Sequence, residues 1–157
     1  MSEHKPGVVQ DMAWRVEALA YDAFVGFMRL LPLDFASDLG GWLLRALGPI
    51  SPVQRTVSRN LDLAFPDRDE AWKADISRAQ WDNLGRMFAE FAQMDRITIA
   101  SGRVTVEHME RLTDIAASGK PVVLISGHFA NFEVMAAVIV AAGIPCQVTY
   151  RATNNPY

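Results

Sequence analysis

The stretch Lys120-Pro-Val-Val-Leu-Ile-Ser-Gly-His-Phe-Ala-Asn-Phe-Glu133 decides how the chain is read. Its apolar run, Val122 to Ile125, is uninterrupted and suits a strand covered on both faces, as in a parallel α/β sheet. Ser126 and Gly127 break that run. His128 follows where strand ends in open α/β sheets meet their ligands. A helix is predicted from about Asn131 to Ala142, with Gly143 as its C-terminal residue, and then a final strand from Gln147 to Arg151. Strand, helix and strand at this spacing form a βαβ unit with a right-handed crossover. The expected fold class is therefore α/β.

Upstream, residues 108–117 read as a short amphipathic helix ended by Gly119. Ile97 to Ala100 and Val104 to Glu107 read as short strands, or as one hairpin around Ser101-Gly102. A long helix is expected from roughly Glu70 to Met94, with Ile76, Leu84, Met87, Phe88 and Phe91 near helical spacing. Asn83, Arg86 and Glu90 accompany that surface, either as an ordinary i,i+4 network or as part of a polar pocket. Ser51-Pro52-Val53-Gln54 has the form of a helix start, running to about Ala64. Arg55 and Arg59 are neighbours on that helix, as two solvated cations or facing an anion.

Asp34 is a cap for a second helix through Leu47, with Gly48-Pro49 as its stop. The first helix covers residues 11–31 and is ended by Pro32. Apolar residues occupy most of its circumference, so it suits full burial, a membrane interface or a protein contact. The chain thus divides into a helical region, 1–95, open to membrane association, and the first part of an α/β catalytic core, 96–157. A buried sheet of two or three strands after four helices reads as incomplete.

Length permits one domain with a real core, and a composition half apolar excludes global disorder. Fifteen basic residues against 18 acidic ones argue against a dedicated nucleic-acid binder. The single cysteine, Cys146, has no internal partner, which points to a reducing compartment. No signal peptide is visible at the start. No window makes a transmembrane helix: Asp22 and Arg29 interrupt Ala18 to Leu33, and Gly143 and Pro145 divide Val134 to Tyr150.

Histidine is the side chain best suited to take a proton near neutral pH. Glu133 lies near the imidazole only if His128 is in the turn, because five residues along one helix rotate by about 140°. A carboxylate there would fix the tautomer and stabilise the imidazolium, as the third member of a triad does. Ser126 lies outside a Gly-x-Ser-x-Gly elbow, and the histidines at 4, 108 and 128 lack zinc-site spacing. No metal and no cofactor is expected. Two readings of His128 stand: a base that deprotonates an incoming hydroxyl directly, and a satisfied structural histidine at a turn.

Gly-His-Phe-Ala-Asn-Phe-Glu at 127–133 resembles the His-x4-Asp/Glu block of the bacterial lipid A biosynthesis acyltransferases, the lauroyl/myristoyl family within the wider glycerolipid acyltransferase group. Further blocks match in order: Leu30-Leu31-Pro32, Arg59-Asn60-Leu61 with Ala64-Phe65-Pro66, and Asn83-Leu84-Gly85-Arg86 with Glu90. The last, Tyr150-Arg151-Ala152-Thr153-Asn154-Asn155-Pro156, resembles the family's Tyr-Arg-Pro-x-x-Asn-Pro, with Ala152 in place of the usual proline.

The resemblance implies a glycerolipid-acyltransferase-like fold, with His128 as general base and Glu133 as its orienting partner. It implies an O-acyltransferase that moves a fatty acyl group from acyl carrier protein to a hydroxyl of a lipid A precursor. Arg151 would contact substrate phosphate or stabilise the oxyanion. Asn131 and Asn155 would be turn and pocket residues, and Phe129 and Phe132 would line an acyl-chain site, though core packing explains the phenylalanines equally well. Members of the family are about twice this length, which implies that further strands and a second arginine-bearing block lie elsewhere. The expected place is the cytoplasmic face of the bacterial inner membrane, with the protein peripheral on that surface or anchored through its N-terminal helix. The alternatives are an acyltransferase for another lipid acceptor, such as a lysophospholipid or ornithine lipid, and a non-catalytic membrane-associated fragment.

Overall fold

A computed structural model describes residues 7–147 and 155–156. Its elements are α1 (Val8–Leu30), α2 (Leu33–Leu47), a 3-10 turn at Gly48–Ile50, α3 (Gln54–Ala64), α4 (Glu70–Phe91), a second 3-10 turn at Met94–Arg96, α5 (Met109–Ser118) and α6 (Glu133–Ala141). Helices 1 to 4 fall within a few residues of their expected places.

Local chemistry explains most of their ends. Pro32 disfavours helical backbone at the residue before it, and Leu31 is extended at φ −90° and ψ 152°. Asp69 caps α4, its Oδ1 accepting from the Trp72 N–H at 2.7 Å. Two expected caps are not used. Helix α2 starts at Leu33, and Asp34 instead pairs with Arg103. Helix α3 starts at Gln54, and the Ser51 hydroxyl donates to the Gly48 carbonyl at 2.7 Å.

Helices α2 and α4 form the centre of the bundle and run antiparallel, because Ser37 meets Glu90, Gly40 meets Gly85 and Gly48 meets Trp81. Glycine is what lets them touch. A Cβ on Gly85 would lie 2.1 Å from the Gly40 carbonyl oxygen, and one on Gly40 would lie 2.3 Å from the Gly85 oxygen. A Cβ on Gly48 would fall 2.1 Å from the Trp81 ring.

One apolar cluster lies on the α1 side of this crossing: Met28, Ala36, Ala89 and Ala92, with Phe24, Val25, Leu31 and Leu39 against them. The other lies on the α3 side: Val57, Leu61 and Trp81, with Leu44 and Leu84. Polar clamps join the helices around both. Fully buried Gln93 donates to the Met28 carbonyl at 2.7 Å, and Arg29 pairs with Asp95 at 2.9 Å. Gln54 accepts from the Trp81 indole N–H at 2.6 Å and donates to Ser77 at 3.1 Å.

The α/β expectation is overturned: the described residues are helical and irregular, and no strand forms among them. Strand structure is defined by a partner, and Val122 to Ile125 has none there. Its side chains face outward, Val123 being 87 % and Ile125 92 % exposed. An apolar run reports a preference for burial and cannot supply the neighbour that would bury it. The hairpin expected at 97–107 is also replaced. Thr98 and Ser101 close a turn reciprocally, each backbone N–H donating to the other's hydroxyl at 3.1 Å. Gly102 follows at φ +73°. The final strand expected at 147–151 lies outside the described residues except for Gln147, which is irregular.

No helix among the described residues is long and apolar enough to cross a membrane. That finding overturns the expected attachment to the cytoplasmic face of the inner membrane through an N-terminal helix. The charges explain it: α1 carries Asp11, Arg15, Glu17, Asp22 and Arg29, and Arg29 is committed to the bundle through Asp95 and the Ala92 carbonyl. Nor is α1 fully buried, since Met28 is its one buried residue.

Candidate functional site

The turn between the apolar run and α6 carries five of the residues singled out in the sequence. Gly127 begins it, the Phe129 N–H donating back to the Gly127 carbonyl at 2.9 Å. This tight reversal brings the Phe129 ring over Gly127, where a Cβ would lie 2.5 Å from it. Ala130 then takes φ +46°, a left-handed conformation that a residue with a Cβ rarely adopts. From there the Val134 and Met135 N–H groups donate to the Asn131 and Phe132 carbonyls at 3.2 Å, and α6 begins at Glu133.

His128 is exposed in this turn, its ring against that of Phe132 with centroids 4.3 Å apart and planes tilted by 52°. Glu133 is half-buried in the first turn of α6, where the helix dipole favours a negative charge. No hydrogen bond joins the imidazole and this carboxylate. The nearby Ser126 hydroxyl is engaged with the Gly127 carbonyl at 3.3 Å and the Met135 sulfur at 3.4 Å. Phe129 is 83 % exposed, whereas Phe132 is half-buried.

Asn131 turns the other way, into the bundle. Its Nδ2 donates to Glu90 Oε2 at 2.9 Å and approaches the Met94 sulfur at 3.6 Å. Its Oδ1 is buried without a partner. Behind Glu90 lies an open cavity of about 290 Å³, bounded by Asp34, Ser37, Asp38, Arg86, Glu90 and Arg103 among others.

Opposite charges line this cavity and pair with one another. Arg86 donates to Asp38 at 2.6 Å and to Asp82 at 2.8 Å, and these bonds, that to Asp38 first, raise its pKa above the ordinary guanidinium value. The Arg103 guanidinium holds Asp34 below the usual carboxylate value of 3.8. Asn83, grouped in the sequence with Arg86 and Glu90, is exposed. Among the described residues no cluster of three or more His, Cys, Asp and Glu is arranged to hold a metal ion.

The other two candidates lie apart from this turn or outside the described residues. Asn155 packs on α1, its Nδ2 donating to the Trp14 carbonyl and to Glu17, each at 3.0 Å. Arg151 lies outside the described residues. Ser37, which joins α2 to Glu90, carries no mark in the sequence: it is one small polar residue in an ordinary helix.

The family pattern described as "Bacterial lipid A biosynthesis acyltransferase" matches residues 10–157. The chain belongs to that family. Neither a curated protein nor a solved structure matches it. Membership in the lipid A acyltransferase family assigns acyl transfer as the class of chemistry, and the match takes in both the His128 turn and the α2–α4 crossing behind it.

Proposed function

We propose that the protein is an O-acyltransferase that moves a fatty acyl group from acyl carrier protein to a hydroxyl of a lipid A precursor, with His128 as its base. The observation that carries this reading is the family match across residues 10–157, which includes the His-x4-Glu turn. The exposed imidazole at that turn is open to an incoming alcohol. In the proposed step His128 takes the proton of the acceptor hydroxyl as its oxygen bonds to the thioester carbonyl carbon. The C–S bond then breaks, and the departing thiolate takes the proton back from the imidazolium.

Glu133 would orient the ring and offset its charge in the substrate complex, and catalytic hydrogen bonds are often absent or long before substrate binds. Phe132, in ring contact with His128, and exposed Phe129 offer apolar surface for the acyl chain. Arg151 is assigned to substrate phosphate or the oxyanion. Asn131 and Asn155 are assigned to shaping the pocket.

The test is acyl transfer from acyl carrier protein to a precursor lipid by wild type, His128→Ala and Glu133→Gln. Loss of a general base lowers the rate by about 10²–10⁴-fold. Equal rates for wild type and His128→Ala would remove the base assignment. The same preparation tested on lysophospholipid and ornithine lipid acceptors identifies the acceptor class. No transfer to any of them by wild type would favour a non-catalytic role.

A further inference from the structure

Glu90 holds together parts of the chain that are far apart in sequence. Its Oε1 accepts from the Ser37 hydroxyl of α2 at 2.7 Å, and its Oε2 accepts from Asn131 Nδ2 at 2.9 Å. Ser37 is buried, and Glu90 itself is half-buried in the last turns of α4. An ionised carboxylate is acceptor-only, so it forces the Asn131 amide to present its NH₂ group and fixes which way that side chain faces. Asn131 follows directly on Ala130, the residue held at φ +46°, and is three residues from His128. Conformations of this kind persist only where surrounding contacts over-determine them.

Among the described residues, the other ties of the turn to the bundle are partial, with Phe132, Glu133 and Val134 half-buried. Val123, Ile125 and Phe129 are each more than four-fifths exposed, and α6 buries no residue fully. Its own backbone bonds, Phe129 to Gly127 and Val134 to Asn131, are local and set the shape of the turn without fixing its place. The amide of Asn131 hydrogen-bonds from this segment to Glu90 of α4 and approaches the Met94 sulfur in the 3-10 turn beyond it.

We infer that Glu90 is a positioning residue for acyl transfer: through Asn131 it pins the turn that presents His128, and through Ser37 it references that turn to the α2–α4 crossing. This rests on the assignment of His128 as the base. Glu90 touches no reacting atom, so its loss acts on the geometry of the turn and leaves the chemistry of the imidazole intact. Glutamine at this position retains both links, its oxygen accepting from Asn131 and its NH₂ donating to the Ser37 hydroxyl. Aspartate is one methylene shorter and cannot span them.

The experiment records the ring signals of isotope-labelled histidine, and the backbone amide signals of residues 127–132, in the full chain for wild type, Glu90→Ala, Glu90→Asp and Glu90→Gln. His108, which bonds Glu110 on α5, serves as the internal control. Expected are displaced or broadened His128 and turn signals in Glu90→Ala and Glu90→Asp, an unmoved His108 signal, and near-wild-type spectra for Glu90→Gln. In transfer assays the first two lose about 10²-fold in kcat, the loss that an ångström-scale misplacement produces, with little change in KM.

Wild-type His128 and turn signals in both Glu90→Ala and Glu90→Asp would overturn the inference. So would a Glu90→Gln variant as disturbed as the alanine one, since charge would then be the operative property. If Glu90→Ala does not fold, Glu90→Asp decides alone. Displaced turn signals together with transfer that survives His128→Ala would leave the positioning role standing and refute the proposed base.

Discussion

Replacing Gly85 by alanine adds one methyl group at the closest approach of two helices, and its effect follows from the geometry. The new Cβ would sit 2.1 Å from the Gly40 oxygen and 2.6 Å from the Gly40 carbonyl carbon. Ordinary C···O contacts are no closer than about 3.3 Å, so α2 and α4 must part by roughly 1.2 Å. Both obstructing atoms are backbone, so no side-chain rotation relieves the overlap. Overpacking costs about 1–3 kcal/mol, and a backbone clash belongs at the upper end. Alanine returns about 1 kcal/mol of helix propensity.

A net loss of about 2 kcal/mol is expected, read as a fall in Tm of about 4–8 °C for a chain of this size. Gly26→Ala is the control. It lies on an exposed stretch of α1 with nothing within 4 Å of its would-be Cβ, so it should gain up to about 1 kcal/mol from propensity alone. Denaturant unfolding followed by far-ultraviolet circular dichroism measures both. If Gly85→Ala is as stable as wild type, the close crossing does not exist in solution.

Gln54→Ala removes the acceptor of the Trp81 indole N–H, which is 7 % exposed at the residue level, and with it the tie between α3 and α4. A buried donor left unpaired costs about 1–3 kcal/mol, seen as a lower unfolding midpoint. Trp81→Phe in the same background should recover part of the loss, and an unchanged midpoint for Gln54→Ala would refute the clamp. Acid should loosen the edges of the bundle. Arg103 lowers the pKa of Asp34, and Arg29 lowers that of Asp95, from an ordinary 3.8. A depressed folded value means the stabilisation is complete above the ordinary carboxylate range and is lost as pH falls below it through the folded pKa. Asp34→Asn should therefore flatten the dependence of unfolding on pH below about 4, and an unaltered slope would refute the assignment.

The helices were legible in the sequence because each carries its own signal. Pro32 ends α1 by sterics that need no tertiary partner, and helical spacing marks α4 as a helix but not its buried face: Ile76, Phe88 and Phe91 are exposed, whereas Ser77, Trp81, Gly85 and Ala89 are buried. The αL glycines at 102, 119 and 143 fall where turns and helix ends were expected. What failed were features that depend on a second segment. Val122 to Ile125 has the composition of a buried strand, yet the described residues supply no neighbour to pair with it. Asp34 has the residue type of a cap, and Arg103, 69 positions away, takes its carboxylate instead. Gly48 does stop α2, as its C-cap at φ −56°, but its second role, a missing Cβ that makes room for Trp81, shows only when that ring is found opposite. In the turn, His128, Phe129, Asn131, Phe132 and Glu133 were visible as a motif, whereas Ser37 was not, because a serine inside a helix has no distinguishing pattern until Glu90 is found opposite it.

The crossing and the turn are mechanically one arrangement. Gly40 lies three residues after Ser37, and Gly85 five before Glu90, so the contact that brings the two helix backbones together also sets the reach between that hydroxyl and that carboxylate. A parting of roughly 1.2 Å, the distance required by ordinary C···O contact, would stretch the 2.7 Å Ser37–Glu90 bond beyond hydrogen-bonding range. Glu90 would then be free to rotate, and the amide of Asn131 would lose a fixed acceptor. A methyl group placed deep between two helices, far from any substrate, would in that way reach the segment that carries His128. Gly85, Arg86 and Glu90 lie close together on α4, and each has a separate physical task there: Gly85 permits the approach of the helices, Glu90 bonds across it to Ser37, and Arg86 bonds across it to Asp38 while held by Asp82 of its own helix.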